Sequence, residues 1–167
     1  PTPNWLQGGM DRLLYYNLYD VFNVRTRIGA KSIGYILKIQ QKLKIKRHLS
    51  KELLPLYGGS SWWSLSRECL QYVIDYTKKN PLLLKRLKHS CSSDEIYFQT
   101  VIMNSPYANK VVNNNLRYIK WEHKHGSIPA ILDEEDLADI EKSGQLFARK
   151  MDYPASINLV SELVKKK

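Results

Sequence analysis

The chain has no long apolar run. No stretch of its 167 residues approaches the roughly 18 consecutive apolar residues of a bilayer-spanning helix. No secretory leader pattern is visible either. Cysteine is scarce: Cys69 and Cys91 are the two present, too few for the disulfide framework of a small secreted domain. Cys69 falls inside an amphipathic pattern and reads as a small apolar core side chain. Internal repeats and low-complexity blocks are missing. His123-x-His125 supplies two imidazoles with no third ligand at a suitable spacing, so no metal site is expected.

What is present is a basic, otherwise ordinary globular composition. The length suits one domain. Apolar residues make up 43% and charged residues 25%, both near the average for folded proteins. The net charge of +10 points to acidic partners: phosphates, nucleic acid or an anionic membrane surface. Lys38, Lys42, Lys44, Lys46, Arg47 and Lys51 cluster, and Lys165-Lys166-Lys167 close the chain. Asp133, Glu134, Glu135 and Asp136 form a small acidic counterweight. A basic run of this kind reads first as a solvated helix face. No nucleic-acid motif accompanies it, and the aromatics do not interleave with the lysines as a stacking platform requires. Nucleic acid is therefore not expected as a partner, and a non-catalytic basic nucleic-acid-binding or interaction module is the alternative reading.

Periodicity predicts a helix over 10–23, on Met10, Leu13, Leu14, Leu18, Val21 and Phe22, and another over 32–46. Tyr57-Gly58-Gly59 reads as a turn. Ser60–Leu65 reads as a strand entering a helix at 67–78, with Ser66 as N-cap and Glu68 in the positive first turn. Asn80-Pro81 ends that helix. Ser92-x-x-Glu95 has the form of a capping box and predicts a helix stopping before Ser105-Pro106. Leu116–Trp121 alternates like a half-buried strand. Asp133 caps a helix at 134–143 with Asp136 at N3; Leu132 and Leu137 form a hydrophobic staple, and Gly144 lies just past the end.

Two pairs of charges carry chemistry. Asp94-Glu95 places adjacent carboxylates at the mouth of a predicted helix, and Arg149-Lys150 places adjacent cations just past the end of another. A carboxylate within reach of a hydroxyl can take its proton. An adjacent Arg and Lys can hold a diphosphate, the Arg bidentately and the Lys as a point charge. Spacing alone leaves both pairs open. Glu95 is equally the third residue of a capping box, and Arg149-Lys150 is equally an exposed basic pair. Trp62, Trp63 and Trp121 offer apolar ring faces on which sugars stack, or side chains for a core.

Four segments together resemble one family. Gly59-Ser60-Ser61-Trp62-Trp63-Ser64-Leu65-Ser66-Arg67-Glu68, Ser93-Asp94-Glu95, Asn114-Asn115-Leu116-Arg117-Tyr118-Ile119-Lys120-Trp121 and Phe147-Ala148-Arg149-Lys150 resemble, in order and rough spacing, the core-2/I-branching β-1,6-N-acetylglucosaminyltransferases and peptide O-xylosyltransferases. The likeness covers about residues 5–153. It implies an α/β architecture: the C-terminal, acceptor-side half of a GT-A-type nucleotide-sugar transferase, with helices packed on a small mixed sheet. Residues 1–167 would form a single domain or fragment, inactive alone, with the N-terminal nucleotide-binding half absent.

The resemblance further implies an inverting, metal-independent glycosyltransferase. It would move GlcNAc or xylose from a UDP-sugar to a glycan or glycolipid hydroxyl, with no cofactor. Glu95 stands in the context of the family's catalytic base. Lys150 stands on the donor diphosphate, with Arg149 the second cation. The gapless counterpart of the branching enzymes' upstream Arg is Ser127, and Lys124 or His125 could replace it after a loop shift. Trp121 matches an acceptor-contacting Trp, Trp62 and Trp63 are further acceptor candidates, and Arg12 aligns by spacing with an acceptor-binding Arg. Ser61 departs from the acidic residue of the xylosyltransferases, which counts against that branch. Animal members are cysteine-rich and this chain is not, which points to a bacterial member in the cytoplasm, with the Golgi lumen as the alternative. The basic 38–51 stretch would meet an anionic membrane or a lipid-linked acceptor in polysaccharide biosynthesis.

Overall fold

The computed structural model describes residue 5, residues 9–50 and residues 53–165. Lys51, Lys166 and Lys167 of the basic clusters lie outside them. The chain forms two compact units, one from 1–61 and 65–112, the other from 62–64 and 113–167.

The first unit is helical. Its helices are α1 (Met10–Leu14), α2 (Arg27–Lys42), α3 (Arg67–Lys79), α4 (Pro81–Leu87) and α5 (Asp94–Met103). Ser66 caps α3 as its sequence predicts, its hydroxyl accepting from the Cys69 amide at 3.2 Å. Asn80 closes α3 through its own amide on Tyr76, and Pro81 opens α4 at a position where no N–H is needed. α5 lies at the centre: Ile96, Tyr97, Thr100, Val101 and Ile102 are buried. The apolar four of these, with Leu13, Cys69, Val73, Leu83 and Leu87, make the core. Buried from several sides, α5 has no polar face and no amphipathic period.

The helix expected over 10–23 stops at Leu14. The Tyr16 amide donates to Oε1 of Gln40, whose Nε2 returns a bond to the Tyr16 carbonyl. The Asn17 amide goes to the His89 carbonyl at 2.8 Å. These long-range bonds take the backbone groups that a longer helix would have used. α2 starts a turn earlier than expected, at the cap of Thr26 on the Gly29 amide. It ends at Lys42, and Lys44 follows with φ 54°. Residues 60–65 form no strand. Ser60 instead accepts from Gln99 at 2.5 Å, and the Tyr57 backbone exchanges bonds with the Thr100 hydroxyl. No turn forms at Gly58 and Gly59. Gly58 is needed for close approach: a Cβ there would stand 2.4 Å from the Trp5 ring.

The second unit is α/β. Strands β1 (Arg117–Ile119) and β2 (Phe147–Arg149) pair in parallel, Arg117 opposite Phe147 and Ile119 opposite Arg149. The helix expected at 134–143 begins with a 3₁₀ turn at Glu134–Asp136 and continues as α6 (Leu137–Ser143). Its capping box between Asp133 and Asp136 is formed, and Gly144 ends it with φ 63°. Helix α7 (Ile157–Lys165) completes the unit. Leu132, Ile140 and Leu159 form its core, with Tyr118, Leu137 and Ala148 packed against them. The Leu132–Leu137 staple thus closes onto a real core.

Of the basic stretch, Lys38, Lys42, Lys44 and Lys46 are exposed. Arg47 is not part of a free basic face. It donates to the Arg86 and Lys88 carbonyls and to the Ser90 hydroxyl, and its guanidinium lies 4.8 Å from the Tyr16 ring.

Candidate active site

Glu95 sits in the first turn of α5, but the capping box written in Ser92-x-x-Glu95 is not made. Ser92 has φ 49°, Ser93 occupies the N-cap position in helical conformation, and neither caps the helix with its side chain. The Glu95 carboxylate turns away and accepts a hydrogen bond from Nη1 of Arg12 on α1. Both side chains are partly accessible, Arg12 at 22% and Glu95 at 29%. The Glu95 carbonyl accepts from the Gly59 amide at 2.9 Å, which fixes the first turn against the Gly58-Gly59 strand of chain.

Arg12 is held from its other side. Its guanidinium lies 3.9 Å from the centroid of Trp5, the geometry of a cation–π contact. Trp5 packs against the first unit's core, and its ring passes so close to Gly9 and Gly58 that a Cβ at either would overlap it. Sequence reasoning singled out Arg12 and Glu95 separately and passed over Trp5. Two glycines and a Trp carry no joint signal until the fold brings residues 9 and 58 to the same ring.

An open cleft of about 940 Å³ in the same unit borders the start of α5, with Tyr19, Asp20, His89, Ser92 and Asp94 among its lining residues. Asp20 and His89 pair across 2.8 Å. The hydrogen bond from His89 holds the Asp20 carboxyl below its usual range.

The other candidates belong to the second unit. Arg149 ends β2, and Lys150 follows it. Lys150 Nζ donates to the Ser127 hydroxyl at 3.2 Å. The Arg149 guanidinium lies 4.5 Å from the Trp62 ring. Trp62 is exposed and Trp63 half-buried, while Trp121 is 71% exposed and outside the core. Arg117, which sequence reasoning did not select, approaches Trp62 at 5.5 Å and Phe147 at 4.9 Å.

Lys124 and His125 are engaged by carboxylates of their own unit. Lys124 donates to Asp133 at 2.6 Å and to Asp136 at 2.9 Å, and His125 pairs with Asp133 at 2.8 Å. The Asp136 side chain is only 1% exposed and also takes a bond from Lys120 at 2.7 Å. Burial pushes the Asp136 carboxyl up, but the bonds from Lys120 and Lys124 outweigh it and leave the group below its usual range. The Lys124 ammonium, with His125 and the Glu135 amide, takes Asp133 down to about 2. Among the described residues no three His, Cys, Asp or Glu side chains are grouped to hold a metal ion.

Comparison with known proteins places these residues in a family. A family model described as Core-2/I-Branching enzyme matches residues 23–141. Trp62, Trp63, Glu95 and Trp121 lie inside the match, and Arg12, Arg149 and Lys150 beyond its ends. The chain is 34% identical over 113 residues to the beta-glucuronosyltransferase GlcAT14B of Arabidopsis thaliana, covering 65% of this chain and 26% of that protein. It is 36% identical over 122 residues to the xylosyltransferase 1 of Canis lupus familiaris, covering 64% of this chain and 13% of the relative. With the xylosyltransferase oxt of Drosophila pseudoobscura pseudoobscura the identity is 38% over 72 residues, 41% of this chain and 8% of the relative. The matched chain therefore spans about a quarter or less of each of these relatives. A match over most of the chain, joined to the α/β architecture found for it, shows that the chain belongs to the Core-2/I-Branching enzyme family.

Proposed function

We propose that the protein is an inverting glycosyltransferase of the GT-A type. It moves a sugar, GlcNAc or xylose, from a UDP-sugar to a hydroxyl of a glycan or glycolipid, with Glu95 as the base and Arg149 and Lys150 on the leaving diphosphate. The observation that carries this reading is the Glu95 carboxylate itself. Its sequence offers a local capping role, and the fold uses the side chain elsewhere, partly accessible and oriented by Arg12. A base must be ionised, positioned and reachable by an acceptor hydroxyl. An open cleft lined by Ser92, Ser93 and Asp94 adjoins the start of α5, one residue short of Glu95.

The relatives act on different sugars by name, xylosyl and glucuronosyl, so family membership supports the reaction class more than the donor. The departure of Ser61 from the acidic residue of the xylosyltransferases counts against the peptide O-xylosyltransferase branch. The relatives are plant and animal proteins, which favours the Golgi-lumen alternative over a bacterial cytoplasm. The exposed Lys38, Lys42, Lys44 and Lys46, interspersed with exposed Ile39, Leu43 and Ile45, support contact with an anionic membrane.

The test is turnover of the full-length protein against UDP-xylose, UDP-GlcNAc and UDP-glucuronate with Glu95→Gln alongside. The variant is expected to lose about 100-fold or more, the contribution of a positioned base, with donor binding retained. Near-normal turnover in Glu95→Gln removes Glu95 from the chemistry.

A further inference from the structure

The second unit divides its cations into two sets. Lys120 and Lys124 are neutralised within it by Asp133 and Asp136. Arg117, Arg149 and Lys150 have no carboxylate at ion-pair distance among the described residues. Strand alternation explains where two of these go. In the parallel pair β1–β2, Tyr118 and Ala148 are partners and both pack on the Leu132 core. Their neighbours along each strand, Arg117, Phe147 and Arg149, therefore point to the opposite face. Trp62 stands on that face, in contact with both guanidiniums.

The contacts run Phe147, Arg117, Trp62, Arg149, alternating ring and cation. A guanidinium stacked on a ring uses its flat side and keeps its N–H edge for an anion. Arg117 spends Nη1 on the Asn115 carbonyl, and its other donors remain. Two such edges, tied to one indole, are ordered in advance, which lowers the entropy cost of gripping a ligand. Lys150, the next residue after Arg149, donates from Nζ to the Ser127 hydroxyl and carries the third positive charge.

We infer that Arg117 is a third cation of the anion site formed with Arg149 and Lys150, that Trp62 is the plate orienting both guanidiniums, and that the ligand class is a diphosphate. This rests on the reading of Arg149 and Lys150 given above and replaces the cation missing at Ser127. Three unneutralised positive charges match the two to three negative charges of a diphosphate better than the single charge of a uronate carboxylate.

Calorimetric titration of the chain with inorganic pyrophosphate at fixed ionic strength tests this, with glucuronate as the competing anion. Wild type is expected to bind pyrophosphate. Arg117→Gln should weaken binding at least about 10-fold, the size of a lost charge-assisted contact. Arg117→Lys, which keeps the charge and loses the stacked fork, should lose most of the same, and so should Trp62→Leu. Lys79→Gln, at the exposed end of α3, should change nothing. If thermal melting shows Arg117→Gln unfolded, Arg117→Lys is the deciding variant. Binding unchanged in both Arg117 variants while Lys150→Gln weakens it overturns the inference and leaves the Arg149–Lys150 clamp standing. Equal losses in Lys79→Gln mean attraction to general basic surface and overturn it too. Glucuronate binding as tightly as pyrophosphate overturns the diphosphate assignment. No wild-type binding of pyrophosphate up to about 10 mM overturns the inference together with the clamp.

Discussion

Arg12 donates from Nη1 to the Glu95 carboxylate across 83 residues of sequence. The pairing joins the short α1 to the start of α5 and leaves the carboxylate a fixed direction. In the full-length protein, Arg12→Gln should lower kcat by roughly 10-fold or more, the scale of a misplaced catalytic group. Arg12→Lys should recover part of it by keeping the charge while losing the stack on Trp5. Equal kcat in all three forms would show that Glu95 needs no support from Arg12.

Transfer should survive chelation. Arg149 and Lys150 are proposed to neutralise the departing diphosphate without a metal, so EDTA should leave the rate within about twofold, a change below 0.5 kcal/mol in the barrier. Activity abolished by EDTA and restored by Mn²⁺ would defeat the metal-free clamp.

Trp121→Ala separates binding from stability. The side chain is 71% exposed, so its removal should change unfolding free energy by no more than about 0.5 kcal/mol. A stacked sugar would lose its platform, and the acceptor KM should rise several-fold with donor KM unchanged. A large loss of stability, or an equal rise in both KM values, would return Trp121 to a packing role.

The Lys124 cluster should set acid stability. Asp133 titrates at about 2 in the folded protein, against about 3.9 when unfolded. Its stabilising contribution is therefore complete above pH of about 4 and lost as pH falls toward 2. Lys124→Met should destabilise by about 3 kcal/mol at neutral pH, because Asp136 stays buried with one partner fewer. It should also flatten the acid limb. Denaturant midpoints measured from pH 7 to 2 check both, and an unchanged slope in the variant would contradict the assignment.

Local signals made much of this fold legible. Ser66 caps α3, and the Asp133–Asp136 box opens α6 with Gly144 past its end, because each needs only neighbours in sequence. The alternation around Tyr118 marks β1 for the same reason. Sequence reading failed where a distant group competed for a local one. Gln40 takes the Tyr16 backbone and shortens α1. Arg12 takes the Glu95 carboxylate and empties the capping box. Trp5, wedged between Gly9 and Gly58, fills the space a turn at 57–59 would not explain. The alternation at 116–121 left open which face was the core; the packing of Tyr118 and Ala148 settles it, and the position of Trp62 gives the face of Arg117 a use.

Asp133 and Asp136 each serve twice: they cap the entry to α6, and they hold Lys120, Lys124 and His125. Neither task can be undone alone. Fraying the first turn of the helix releases the lysines, and pulling away the 124–127 loop exposes two charged caps. Helix entry and loop should therefore open as one cooperative element. Amide exchange at Glu135 and at Ser127, which bonds back to the Lys124 carbonyl at 3.2 Å, would then proceed with a shared opening free energy. The loop bearing the hydroxyl beside Lys150 thus takes its rigidity from a helix it never enters.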